Sequence, residues 1–157
     1  RCFDKNTILE LEDGSKRSIK DVKVGDKLKY SGKVTATIKV PSIDLKMYNI
    51  NGIIVSESHI MNYNGKWIYS DEHPDAQIIL DYNEEVIYCL NTTSKKIIIN
   101  DMIFTDWDEI YNEHLEHILK IYNLNNTENL HKHIDKGFRE NCIVSLHNCK
   151  KEINVSD

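Results

Sequence analysis

Leu45-Lys46-Met47-Tyr48-Asn49-Ile50-Asn51-Gly52-Ile53-Ile54-Val55-Ser56-Glu57-Ser58-His59 is the stretch that decides the fold. Asn51-Gly52 is the best two-residue hairpin turn in the chain, because a type I′ turn needs positive φ at both central residues. The flanking runs Leu45–Ile50 and Ile53–Val55 are rich in the branched and aromatic side chains that suit a pleated, half-buried surface. A hydroxyl, two residues and an imidazole then close the second strand.

Outward from this hairpin the same grammar repeats. Upstream, Thr7–Leu11 is closed by Asp13-Gly14, and Val22–Asp26 turns into Lys27–Tyr30. In Lys33–Val40, residues Val34, Ala36, Ile38 and Val40 alternate with polar ones until Pro41, as in a half-buried strand. Downstream, Asn64-Gly65 precedes Trp67–Tyr69, followed by Gln77–Leu80, Val86–Leu90, Lys96–Ile99 and Met102–Phe104. Short strands at this spacing, separated by turn signals, predict a mainly β barrel-like or sandwich architecture over residues 1–106.

The period changes at Asp106-Trp107-Asp108-Glu109. Tyr111, Leu115, Ile118 and Tyr122 recur at helical spacing behind two acidic residues that favour a helix N-terminus. Leu130 and Ile134 suggest a second helix that stops at Gly137, so residues 107–137 read as a two-helix C-terminal appendage. In residues 138–157, Asn141–Asn148 lines up with Asn6–Asp13, and Cys149–Ile153 with Gly14–Ile19 less one residue. That segment resembles the opening hairpin and suggests the start of a second repeat.

A length of 157 residues bounds the chain to one ordinary domain, or one domain plus a short appendage. A net charge of −5 and a pI of about 5.8 argue against a nucleic-acid partner, which would want a basic face. No apolar run approaches membrane-spanning length, so no membrane partner is expected. The four cysteines form no CxxC pair, a poor case for zinc or a disulfide framework. No metal and no cofactor are expected, and the reading is a monomer in an intracellular, cytoplasmic, reducing compartment.

Chemistry concentrates near the first residues. A thiolate at Cys2 attacking the Arg1 carbonyl would turn the Arg1–Cys2 amide into a thioester, and Cys is the most nucleophilic side chain at neutral pH. The departing nitrogen needs a proton, for which His59 is the candidate acid. Ser56, three residues earlier, is placed to hydrogen-bond the scissile peptide. His114-x-x-His117 lacks a third ligand at suitable spacing, and His73-Pro74 reads as a loop feature.

The order of these features resembles the Hint domain, the self-processing module shared by inteins and the C-terminal part of Hedgehog proteins. It runs from Cys2 through the Gly14 hairpin, Val24-Gly25-Asp26, and the Asn51-Gly52 hairpin into Ser56-x-x-His59, then Val86–Leu90 and Ile97–Phe104. The resemblance implies a Hint-type horseshoe of short strands with Cys2 as nucleophile. Ser56 and His59 fall on the family's Thr-x-x-His motif, with Ser in place of Thr. Cys89 falls where many inteins carry an Asp or Cys that tunes proton transfer or takes a second acyl group; a buried small residue on a core strand explains it as well. The implied substrate is the chain's own upstream flanking polypeptide, with water or a small thiol as acyl acceptor.

Three outcomes stay open. One is an N-to-S acyl shift followed by cleavage or acyl transfer. The second is a self-splicing mini-intein from Cys2 to Asn148, using His147-Asn148 with Cys149 as the downstream nucleophile. The family places His-Asn directly after its last strand pair, where this chain reads Thr105-Asp106-Trp107. The third is a processing-dead β module with a binding or structural role.

Overall fold

A computed structural model describes residues 1–111 and 152–155. The chain opens with β1 (Ile8–Glu10) and β2 (Lys16–Ser18), a 3-10 turn at Ile19–Asp21, β3 (Lys27–Leu28) and the long β4 (Gly32–Pro41). β5 (Met47–Ile50), β6 (Ile53–Ser56), β7 (Ile60–Tyr63) and β8 (Lys66–Tyr69) lead to a second 3-10 turn at Ser70–Glu72. β9 (Ala76–Ile79), β10 (Val86–Thr92), β11 (Lys96–Ile99) and β12 (Met102–Thr105) follow, and β13 (Glu152–Val155) stands apart near the C-terminus. The mainly β expectation therefore holds. The Asn51-Gly52 turn has φ of 51° and 92°, the double positive that a type I′ hairpin requires.

Among the described residues every strand pairing is antiparallel. β6-β5-β9 forms one set, β10-β4-β13 a second with β3 on β4, and β11-β12-β7-β8 a third. Residues 2–4 join the first two. Phe3 exchanges both backbone hydrogen bonds with Tyr88 of β10, at 2.6 and 2.8 Å. On its other side the Ser56 amide donates to the Cys2 carbonyl at 2.9 Å and the Asp4 amide to the Ile54 carbonyl at 3.1 Å. The first residues are thus an inner strand-like segment between β6 and β10.

Phe3 is fully buried and anchors that segment in the core formed by Ile38, Met47, Val55, Met61, Ile87 and Phe104. Its ring meets Phe104 edge-on at 5.0 Å and His59 at 4.8 Å. Truncating a buried phenylalanine costs about 3–5 kcal/mol, from lost transfer energy and the cavity left behind. Phe3→Ala is expected to lower stability by about that much, read as a fall in the denaturant midpoint at unchanged slope. A midpoint within error of wild type would show that residues 2–4 do not hold β6 to β10.

The helical appendage needs correction where it is described. Trp107–Tyr111 form a turn and irregular chain instead of a first helical turn, with Glu109 at φ 55°. The acidic residues read as a helix start close a tight turn. The Asp106 carboxylate accepts the Asp108 amide at 3.0 Å, and the Glu109 amide donates to the Asp106 carbonyl at 3.1 Å. Residues 112–137, with His114 and His117, lie outside the described residues. So do all of 138–157 except β13, which pairs with β4 from Glu152↔Lys39 to Val155↔Ala36.

Candidate active site

Ser56 ends β6, and the turn to β7 passes through Ser58 in the left-handed region, φ 61°. Ser70 clamps that turn at both ends. Its hydroxyl donates to the Ser56 carbonyl at 2.7 Å and accepts the His59 amide at 3.3 Å, while its own amide donates to the His59 carbonyl at 2.8 Å. Ser56, His59 and Ser70 are at most 1% exposed, so the clamp works without water competing.

Ser56 grips the main chain of Cys2 at both polar groups. The Cys2 amide donates to Ser56 Oγ at 2.9 Å, and the Ser56 amide donates to the Cys2 carbonyl at 2.9 Å. The α-nitrogen of Arg1 donates to the same Oγ at 2.5 Å. This α-nitrogen is buried, and burial lowers its pKa to about 6. The peptide unit between Arg1 and Cys2 is therefore fixed on the hydroxyl of Ser56.

His59 is held by its other nitrogen. Nε2 lies 2.8 Å from the Thr105 carbonyl, and a carbonyl only accepts, so Nε2 carries the proton. Nδ1 is then a buried lone pair with no hydrogen-bond partner. Such an orphan costs about 1–3 kcal/mol, and in a native structure each one calls for a reason. Burial, and secondarily the Arg1 α-ammonium, hold the imidazole well below its usual pKa, against the opposing pull of the Thr105 carbonyl. His59 is neutral at pH 7.

Cys89 on β10 is also buried, with its Sγ donating to the Leu90 carbonyl at 3.7 Å and the Cys2 thiol near enough to act on it. Burial first, then the neighbouring Cys2 thiol, push its own thiol well above the usual range. Neither Cys2 nor Cys89 is in a disulfide. The four residues singled out from the sequence, Cys2, Ser56, His59 and Cys89, thus share one buried neighbourhood with Arg1. His147, Asn148 and Cys149 lie outside the described residues. His73 is the loop feature expected, its Nδ1 accepting the Asp75 amide at 3.0 Å.

Sequence reasoning missed three members. Ser70 and Thr105 offered no motif, since each acts through contacts distant in sequence. Asp106 stands at the change of period, and the sequence reading gave it no role of its own. It is 1% exposed, and its carboxylate also accepts the Thr92 amide at 3.1 Å. Burial raises the Asp106 pKa to about 6 against the nearby Lys95 charge. Lys95, itself 2% exposed, accepts the Asp106 amide on its carbonyl at 3.1 Å, which braces the backbone next to Thr105. Among the described residues no group of three or more potential metal ligands clusters.

Fold and site together define an antiparallel β domain that encloses its own N-terminal thiol with an imidazole and a hydroxyl. The family model Vint, described as Hint-domain, matches residues 1–107, and the chain belongs to that family. It is accordingly a self-processing domain, of the kind that cleaves its own chain autocatalytically. Comparison with curated proteins returns no match.

Proposed function

We propose that the domain breaks the Arg1–Cys2 bond by an N-to-S acyl shift and passes the upstream polypeptide to water or a small thiol. The observations that carry this reading are the orphaned Nδ1 of His59, a peptide unit gripped by Ser56, and the Arg1 α-nitrogen lying near enough for its charge to act on that imidazole. The Cys2 thiol gives its proton to that lone pair as sulfur attacks the Arg1 carbonyl carbon. The carbon–nitrogen bond then breaks, and the imidazolium returns the proton to the departing nitrogen. The upstream chain is left as a thioester on Cys2, with a free amine at the Cys2 nitrogen. No proton is gained or lost overall.

Each side chain has a part. The Nε2–H bond to Thr105 fixes the tautomer that leaves Nδ1 basic. Ser56 Oγ, holding the Cys2 amide hydrogen, restrains the leaving nitrogen in one orientation. Cys89 stays protonated and can donate to sulfur as charge grows there, since two thiolates in contact are unfavourable. An external thiol attacking the thioester releases the upstream chain as a new thioester; water releases it as an acid. The chemistry needs one copy of the chain and reduced thiols, which suits a monomer in a reducing, cytoplasmic compartment.

The test is the mass of the product. The domain with a folded upstream flank, incubated with dithiothreitol, should yield an upstream fragment ending at Arg1 with one thiol added, and a domain beginning at Cys2. An intact chain would leave a processing-dead β module as the better reading, and a fragment ending elsewhere would overturn the assignment of the scissile bond.

A further inference from the structure

The Arg1 side chain has a partner the chemistry above does not use. Arg1 Nε lies 3.6 Å from a carboxylate oxygen of Glu109, with the two side chains 58% and 32% exposed. The same carboxylate is near enough to act on the charge of the Arg1 α-nitrogen. Glu109 therefore faces the residue on the upstream side of the scissile bond.

Its position is not that of a loose surface side chain. The Glu109 amide is tied to the Asp106 carbonyl, the Asp108 amide to the Asp106 carboxylate, and the Trp107 amide to the Leu90 carbonyl at 2.9 Å. The second Asp106 carboxylate oxygen takes the Thr92 amide. The turn 106–109 is thus pinned to the end of β10 and carries Glu109 to the mouth of the site. It starts one residue after Thr105, whose carbonyl holds His59.

We infer that Glu109 is a specificity-determining residue that selects upstream chains ending in a cationic side chain. This rests on the acyl-shift reading, because only there is Arg1 the acyl donor. In a one-chain reaction a contact speeds the step by raising the fraction of chains with the carbonyl in attacking position. An ion pair to the side chain of position 1 does so, since that side chain and the reacting carbonyl share one α-carbon. A partly exposed pair changes such a fraction about 1.5- to fivefold. An acidic side chain in the same place would be pushed out of the site.

The experiment measures thiol-induced release for chains with an upstream flank carrying Arg1, Arg1→Lys, Arg1→Ala or Arg1→Glu. Each is paired with Glu109 as found, with Glu109→Gln and with Glu109→Arg. Glu109 as found should release Arg1 and Arg1→Lys chains fastest, Arg1→Ala chains about two- to fivefold slower, and Arg1→Glu chains slowest. Glu109→Gln should flatten the series. Glu109→Arg should invert it, so that Arg1→Glu overtakes Arg1, which a merely structural role for the turn would not produce. High salt should compress the differences. The same ranking with all three residues at 109 would overturn the inference while leaving the acyl shift intact. Release from none of the chains would remove the acyl shift itself, and this inference with it.

Discussion

Cys2→Ala is expected to abolish thiol-induced release of an upstream fusion while leaving the domain folded. The substitution removes one sulfur atom from a fully buried site. It keeps the backbone bonds to Ser56 Oγ and from the Ser56 amide. Losing one buried heavy atom costs about 1 kcal/mol, less than removing a whole buried leucine. A cooperative unfolding transition close to that of the parent should therefore accompany an intact band on the gel. The chemical loss is total by comparison, because without a nucleophile at this carbon no thioester forms for dithiothreitol to attack. Cys89→Ala is the companion measurement. Its thiol is a neighbour of Cys2 and is held protonated, so its removal should slow release by less than tenfold. If Cys2→Ala releases the fusion at the parental rate, the cut is made by something other than this thiol.

The strands were legible because their turns are. Asn51-Gly52 and Asn64-Gly65 adopt positive φ at both residues, as their chemistry requires, and Val34, Ala36, Ile38 and Val40 are all buried as their alternation implied. β7 escaped notice because Ile60-Met61-Asn62-Tyr63 follows the Ser58 turn, which has no glycine, and two of its residues are apolar side by side. The turn at 106–109 shows the reverse error. Asp108 and Glu109 ahead of a helical period signal a helix start, yet their amides are held by Asp106, whose carboxylate also takes the Thr92 amide. A carboxylate bound to β10 cannot be read from its own neighbours in sequence.

The candidate site divides in the same way. Cys2, Ser56 and His59 were visible because thiol, hydroxyl and imidazole are chemically distinctive and two of them sit three residues apart. Ser70 and Thr105 were not. Thr105 acts through its carbonyl, which every residue possesses, so its identity carries no information. What makes it matter is the pairing of β12 with β7, which sets Phe104 opposite Met61 and Ile103 opposite Asn62. That register brings the end of β12 to the start of β7, where His59 stands. Such a relation exists only after folding.

His59→Ala should slow release by about 10²- to 10⁴-fold, the usual worth of one positioned acid–base group. Part of the damage would be structural, since the ring also packs on Phe3 and on Phe104 at 5.4 Å. His59→Phe separates the two effects. Phenylalanine refills the space with a ring of similar size but has no nitrogen for Thr105 or for the scissile peptide. It should lose activity as fully as alanine while retaining more of the stability, read from the denaturant midpoint. The pH profile adds a second check. Burial is the first cause of the lowered His59 pKa and persists when an upstream peptide replaces the Arg1 ammonium, the second cause. Above its own pKa the imidazole is already the neutral base, so acidification through the ordinary histidine range of about 6.5 should not switch it off. With enough thiol that the acyl shift limits the rate, release should stay level from about pH 7.5 down to about pH 6. The same buried imidazole makes the fold acid-sensitive: below the unfolded pKa only the unfolded chain binds that proton, so this group's share of stability falls as pH falls. Full release by His59→Phe, or an inflection in the parent near pH ~6.5, would mean that the orphaned nitrogen takes no part in the proton's path.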